Sequence, residues 1–315
     1  MIGTVSLALA PVFFTIGLGY FCGIRRLTDN QDVASLNTLT MTFALPIALF
    51  VAMATAPRTE LLGEGVFFLV ILGSYAAVFV VWLLVARLAL GIATADASLQ
   101  ALTIAFPNLA GVALPIATQV LGPSGSVQVA LAIAAGSITV SPLTLVLVEL
   151  SAGATSPDGR GRRIRRALRH AVTAPVVLGP ALGIAVSLCG FGLPTLVTNS
   201  LSLIGQAAAG LALFLSGLVL SAQPFRSDGR AIAGTLVADV ARPLIALAVV
   251  LALAIPMETG RIAILMAAIP SGFFGILFAV RYGRETATIG STVIASTLLS
   301  AITLGIVIAV LFPAS

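Results

Sequence analysis

The chain has 315 residues, of which 59% are hydrophobic and 9% are charged. A helix needs about 20 apolar residues to cross the roughly 30 Å hydrocarbon layer of a membrane, so the chain can supply about ten such spans and little else. The composition excludes a large soluble enzymatic domain and predicts an all-α integral membrane protein. The net charge of +5 does not indicate a nucleic-acid partner, because the charges lie between apolar runs.

The apolar runs predict about ten transmembrane helices, five on each side of one polar segment. In the first half, residues 1–150, the predicted spans cover residues 5–24, 34–55, 66–90, 98–121 and 127–150. In the second half, residues 171–315, they cover residues 172–189, 196–220, 232–255, 262–280 and 287–312. The polar segment, residues 151–170, is a linker that contains the arginines Arg160, Arg162, Arg163, Arg165, Arg166 and Arg169.

The distribution of arginine predicts the orientation. Positive residues concentrate in cytoplasmic loops, which places the basic linker in the cytoplasm and, with five spans in each half, both termini outside. Thirteen of the 16 arginines then fall inside, whereas only Arg58 and Arg261 fall outside and Arg242 lies within a span. We therefore expect a multi-pass protein of the cell inner (plasma) membrane, surrounded by lipid.

Because each half has an odd number of spans, the halves enter the membrane from opposite sides. This predicts a 5+5 inverted repeat, which is a common plan of transporters. Gly19 and Gly23 in the first span have a counterpart in Gly179 and Gly183 of the sixth. Each motif alone is also typical of ordinary helix packing.

The fourth and ninth spans interrupt their own helices at mid-membrane. A proline removes a backbone hydrogen bond, and the freed groups are tolerated only inside protein or beside a water-filled cavity. Interruptions at corresponding positions of two halves indicate the binding site of a transporter. The amide ends of the half-helices carry partial positive charge and can bind an anion. The predicted substrate-binding residues are Pro107, Asn108, Gly111, Pro115, Pro270, Ser271 and Gly272. The alternative is two simple kinks, with Asn108 as a helix cap.

Asp239 and Arg242 lie three residues apart in the eighth span, on one face of the helix. Charges at this depth usually face the interior of the bundle in pairs. One hypothesis is structural: the two charges neutralise each other, or Arg242 extends to the membrane boundary beside Pro243. In the other, Asp239 accepts a proton or a cation while Arg242 attracts an anion. Other polar residues in the spans are weaker candidates, since such residues more often form helix-helix hydrogen bonds. They include Asn37, Thr38, Thr40, Thr42, Asn199, Gln206 and Ser216.

At the broken helices the sequence resembles the auxin efflux carrier family, which includes bacterial malonate permeases and plant auxin exporters. The resemblance covers nearly the whole chain. It rests on the spacing from Asn108 to Pro115, and on Arg281, Tyr282 and Gly283 after the ninth break. At Ala113 the sequence departs from the family pattern, which has a glycine there.

The resemblance implies a ten-helix inverted repeat whose broken fourth and ninth helices cross near the substrate. It implies a scaffold of helices 1, 2, 6 and 7, a transport domain of helices 3–5 and 8–10, and the possibility of a homodimer. The expected function is secondary transport of a small organic anion such as malonate or a related carboxylate, by alternating access. No cofactor is expected, and coupling to H+, to Na+ or to neither stays open.

Two other functions remain as alternatives. A sodium-coupled symporter of the bile-acid type has similar broken helices, but no Asp or Glu lies within several residues of Asn108 or Pro270. An intramembrane enzyme is less favoured, because Ser271 has no histidine in its span to act as a base. No catalytic residue and no metal site are therefore predicted.

Overall fold

The computed structural model describes residues 2–31, 33–151, 161, 162, 165, 168, 169, 172–226 and 228–313. Most of the predicted linker, including Arg160, Arg163 and Arg166, lies outside the described residues. The main helices are α1 (Ile2–Ile24), α2 (Ala34–Thr55), α3 (Gly65–Ala89), α4 (Thr94–Ala105), α5 (Leu114–Leu121, entered through a π-helical turn Leu109–Ala113), α6 (Gly125–Ile138), α7 (Val140–Ser151), α8 (Pro175–Leu188), α9 (Thr195–Ser221), α10 (Gly229–Ala252), α11 (Met257–Ala268), α12 (Phe274–Arg281) and α13 (Ala287–Leu311).

Seven helical segments of the described chain are long and apolar enough to cross a membrane. Their outer surfaces carry exposed apolar side chains, such as Leu88 at 81% exposure, as expected for contact with lipid. The prediction of an all-helical membrane protein is confirmed. Four helices are too short to span a membrane alone: α4, α8, α11 and α12. Three of these are short because α4 and α11 end at the breaks and α12 begins at one. The ten-span arrangement therefore stays a prediction.

Three helices widen into a π-helical turn shortly before a proline. A proline has no N–H, and its ring clashes with a carbonyl of the preceding turn, so a local change of hydrogen-bond register accommodates it. The turns and their prolines are Leu39–Ala44 with Pro46, Leu109–Ala113 with Pro115, and Val237–Ala241 with Pro243. A proline inside a span therefore does not always break its helix.

Glycines set the packing of two helix pairs. A Cβ at Gly19 of α1 would lie 2.1 Å from the Phe214 carbonyl oxygen of α9. A Cβ at Gly179 of α8 would lie 2.5 Å from the Pro46 carbonyl oxygen of α2. Only glycine permits such close backbone approach. Both glycine motifs noted in the sequence therefore act as helix contacts, one between α1 and α9 and one between α8 and α2.

Contacts between loops distinguish two faces of the bundle. On the linker face, Arg226 and Glu285 form an ion pair of 3.2 Å. On the opposite face, here called the terminal face, the Gln128 Nε2 donates to Glu64 Oε1 at 2.6 Å. The linker face comprises the connections 25–31, 90–93, 222–226 and 282–286. The terminal face comprises the connections 56–64, which contains the short helix Arg58–Gly63, 122–124 and 189–194.

Candidate functional site

The two predicted breaks lie directly against each other. The Asn108 N–H donates to the Pro270 carbonyl oxygen at 2.9 Å, and the Gly272 N–H donates to the Phe106 carbonyl oxygen at 3.1 Å. These two bonds form a short antiparallel bridge between the segments. Backbone groups that the prolines free from helical bonding thus bond to one another, which is why the breaks can be buried.

Four helix ends meet at this bridge. Helices α4 and α11 end there, and α12 and the π-helical entry to α5 begin there. The carbonyl end of a helix carries partial negative charge and the amide end partial positive charge. The breaks therefore bring two negative and two positive helix ends into one region, and each pair can be stabilised by an opposite charge.

Arg242 supplies the positive charge for the carbonyl ends. Its side chain is fully buried, at 0% exposure. The Nε donates to the Ala267 carbonyl oxygen at 2.7 Å, and the two terminal nitrogens donate to the carbonyl oxygens of Ile104 and Ile269. A guanidinium has five N–H donors in a rigid fork, so one side chain can cap two helices. Arg242 therefore connects α10 to the ends of both α4 and α11.

Asp239 has different partners. It is 2% exposed, and its Oδ1 accepts a hydrogen bond from Ser296 Oγ at 2.7 Å. Ser296 Oγ in turn accepts from the Ser271 N–H at 2.8 Å, so the carboxyl is linked to the second break through one hydroxyl. Asp239 Oδ2 and Ser271 Oγ are buried and have no hydrogen-bond partner. Among the described contacts, Asp239 and Arg242 bond to separate partners and form no ion pair with each other.

Asn108 caps the turn that follows the first break. Its Oδ1 accepts from the Gly111 N–H at 3.2 Å, and its Nδ2 donates to Ser216 Oγ of α9 at 3.0 Å. A Cβ at Gly111 would lie 2.9 Å from Asn108 Oδ1. Glycine at 111 thus leaves room for the cap. The side chain is 6% exposed, so both of its polar atoms are used within the protein.

A cavity of about 750 Å³ opens at the terminal face, between α2 and α9 on one side and α5 and α6 on the other. Pro115 is the predicted site residue that lines it. The Ala209 side of the cavity lies seven residues before Ser216 on α9, or roughly 10 Å along the helix. None of the described lining residues is basic. The polar ones are Thr55, Glu60, Thr118, Ser124, Ser126, Ser202 and Gln206.

Acidic groups lie near the mouth of the cavity. Glu60 lines it, and Glu64 accepts the hydrogen bond from Gln128. Burial raises the pKa of the Glu64 carboxyl, the bond from Gln128 lowers it in part, and the charge of Glu60 raises it further. Negative charge at the mouth therefore weakens as the solution becomes acidic.

The predicted site residues thus divide into two places. The bridge holds Pro107, Asn108, Gly111, Pro270, Ser271 and Gly272, whereas Pro115 lies apart in the cavity wall. Ser296 was missed in the sequence, because a serine in an apolar helix is common and carries no pattern. The sequence indicates Ser216 only weakly for the same reason.

The chain matches the family described as membrane transport protein over residues 4–308. It is 29% identical to "Uncharacterized transporter YfdV" of Escherichia coli (strain K12) over 287 residues, which cover 89% of each chain. It is 28% identical to "Putative malonate transporter" of Rhizobium meliloti (strain 1021) over 303 residues, or 93% of this chain and 91% of the relative.

A plant relative matches a shorter region. "Auxin efflux carrier component 2" of Arabidopsis thaliana is 29% identical over 133 residues, which cover 40% of this chain and 21% of the relative. The resemblance drawn from the broken helices is confirmed. The buried breaks, the apolar spanning helices and the match over nearly the whole length lead to one conclusion: the chain belongs to the membrane transport protein family that includes the auxin efflux carriers.

Proposed function

We propose that the protein is a secondary transporter of small organic anions, such as malonate or related carboxylates. The observation that carries the proposal is the meeting of two broken helices around Arg242. Since Arg242 holds the carbonyl ends of α4 and α11, the positive amide ends at α5 and α12 are left to stabilise a bound carboxylate. The name of the Rhizobium relative, "Putative malonate transporter", agrees with a carboxylate substrate.

The proposed architecture is the 5+5 inverted repeat, with α1, α2, α8 and α9 as scaffold. It is supported by a repeated contact, since α1 packs on α9 through glycines as α8 packs on α2. The remaining helices form the transport domain in this proposal. Its cohesion is supported by Arg242, which ties α10 to α4 and α11, and by Ser296, which ties α10 to α13.

Alternating access would proceed by movement of the transport domain against the scaffold. The cavity lies between α2 and α9 of the scaffold and α5 and α6 of the transport domain. The bond from Asn108 to Ser216 spans the same boundary, deeper than the cavity. Breaking this bond would free the Asn108 amide to donate to a carboxylate and would extend the cavity to the breaks. We infer that the bond from Asn108 to Ser216 separates the open cavity from the breaks, and that this bond breaks during the transport cycle.

The sodium-coupled alternative is less well supported. A sodium ion at the breaks would need carbonyl oxygens as ligands, and Arg242 already donates to three of them. An intramembrane enzyme has no support from the family, and the one histidine, His170, belongs to the linker outside the described residues.

We place the linker face in the cytoplasm of the proposed inner-membrane protein, with both termini outside. Thr59 is exposed on the terminal face and Glu285 on the linker face. After replacement of the free Cys22 and Cys189 by alanine, an impermeant maleimide should label Thr59→Cys in intact cells. It should label Glu285→Cys only after the cells are permeabilised. The reverse pattern would contradict the orientation.

The transport proposal predicts that Asn108→Ala binds a carboxylate about tenfold to a hundredfold more weakly than the wild type. A lost hydrogen bond to a charged ligand costs about 1.5–3 kcal/mol. A panel of mono- and dicarboxylates, malonate among them, is first screened by thermal stabilisation of the purified protein. Affinity for the best ligand is then measured by calorimetry. Ser271→Ala should show a smaller loss, because water can replace a hydroxyl.

Loss of the Asn108 cap also costs stability, on the order of 1 kcal/mol, so binding must be compared on matched folded samples. Asn199→Ala is the control, since Asn199 is exposed on α9 away from the breaks. If Asn108→Ala binds as tightly as the wild type, the residue is a cap alone and the site lies elsewhere. If no carboxylate stabilises the wild type, the proposed substrate class is wrong.

A further inference from the structure

Two opposite charges are buried behind the breaks. Arg242 contacts the carbonyls of Ile104 and Ile269, which precede the two interrupting prolines. Asp239 reaches the second break through Ser296. With Asp239 ionised, the pair has no net charge, although the two groups do not touch. The region that would receive an anion therefore contains its own negative charge.

The carboxyl of Asp239 is also incompletely bonded. Its Oδ2 is buried without a partner, whereas Oδ1 is held by Ser296. An ionised carboxylate in such surroundings is costly, and a proton on Oδ2 would remove its charge. Protonation leaves the positive charge of Arg242 uncompensated. A carboxylate at the breaks would restore the balance, so the proton and the anion stabilise each other's binding.

Few other groups can serve as the titrating site. Of the elements packed against α10, α13 has no ionisable side chain within its range, and α3 contributes the buried Tyr75. Tyr75 is a phenol and is neutral near pH 7. The remaining charged groups of these helices lie toward the ends of α3, α4, α10 and α11, away from the breaks: Arg87, Asp96, Arg230, Glu258 and Arg261.

We propose that Asp239 takes up one proton for each carboxylate bound at the breaks, so that the protein moves anions together with protons. This inference rests on the proposed transport function. In the binding step a proton from water forms an O–H bond at Oδ2, and on release the same bond breaks and the proton returns to water. For one bound carboxylate group with a single negative charge, the charge of the buried site is then equal in the empty and loaded states, which reduces the electrostatic cost of moving it through the membrane. The second carboxylate of malonate adds one negative charge to the loaded state.

Reciprocal linkage gives the expected pH dependence. If the empty protein has Asp239 ionised and the loaded protein has it protonated, carboxylate affinity falls about tenfold for each unit of rising pH. The measurement is calorimetry of malonate binding to the purified full-length protein between about pH 7 and pH 9, where carboxylic acids are ionised. Two buffers with different heats of ionisation give the number of protons taken up, which should be about one per malonate.

Asp239→Asn should still bind malonate, with no proton uptake and with an affinity independent of pH. Glu149→Gln is the matched control, because Glu149 accepts a bond from Tyr282 at the linker face, away from the breaks. It should keep the wild-type proton count. Ser296→Ala provides a second variant that leaves both charges in place. Without the bond to Oδ1, Asp239 should hold its proton to higher pH, so the fall in affinity should shift to higher pH.

Several results would overturn the inference. Malonate binding without proton uptake in the wild type would reject proton coupling and leave the transport proposal intact. If Asp239→Asn still takes up a proton on binding malonate, the proton belongs to another group. The same conclusion follows if the pH dependence of malonate affinity does not shift in Ser296→Ala. Binding that depends on sodium instead of pH would reject the proton as the coupling ion. Failure of every carboxylate to bind would reject both proposals.

Discussion

Replacement of Arg242 by methionine is expected to lower the free energy of unfolding by about 3–5 kcal/mol. The change removes three hydrogen bonds to the carbonyl ends of α4 and α11, and it takes away the positive charge that compensates the ionised Asp239 carboxylate. Methionine is similar in length, so a cavity accounts for little of the loss. The measurement is thermal and denaturant unfolding of purified protein in a fixed detergent, together with the amount of protein in the membrane.

Two further variants separate charge from hydrogen bonding. Arg242→Lys keeps the charge but replaces the planar fork by a single ammonium, so its stability should fall between those of the wild type and Arg242→Met. The double variant Asp239→Asn with Arg242→Met has no buried charge but still lacks the carbonyl caps. We expect it to recover only part of the loss. Full recovery would show that the charges act as a neutralising pair and that the capping bonds contribute little.

Replacement of Gly272 by alanine is expected to separate the two breaks. The new Cβ would lie 2.5 Å from the Phe106 carbonyl oxygen, which accepts the Gly272 N–H. Backbone atoms on both sides would have to move, and the bridge would be lost at a cost of roughly 2–4 kcal/mol. The amide ends of α5 and α12 would then no longer converge, so carboxylate binding should fall at least tenfold in the folded fraction.

Gly73→Ala is the control for this experiment. Gly73 lies inside α3, and a Cβ there would meet no atom within 4 Å. This substitution should change stability little or raise it slightly, since alanine favours helix. Unfolding and malonate affinity are measured for both variants. If Gly272→Ala keeps wild-type stability and affinity, the bridge is not what holds the breaks together.

The positions of the breaks could be predicted from sequence because proline acts on its own turn. Pro107 and Pro270 interrupt their helices as expected. Sequence alone does not show that Pro46 and Pro243 would be accommodated by π-helical turns. That outcome depends on whether neighbouring helices supply partners for the freed groups, and local sequence does not contain this information.

The partners of the buried charges could not be predicted in the same way. The spacing of Asp239 and Arg242 favoured a pair on one helical face. Instead, Arg242 bonds to backbone carbonyls, which every residue has and which therefore leave no pattern in the sequence. Ser296 lies 57 residues from Asp239, and only the packing of α13 against α10 brings them together. Tertiary contacts of this kind decide which of two plausible roles a charged residue takes.

The cavity has a consequence for selectivity in the proposed cycle. None of its described lining residues is basic, and Glu60 lies among them. An approaching carboxylate therefore experiences no electrostatic attraction from the described side chains of the walls, and the charge of Glu60 opposes its entry. Helix-end dipoles act only over the first or last turn, so discrimination among anions is confined to the breaks. In the proposed cycle the substrate is therefore selected at the breaks, after it has entered the cavity.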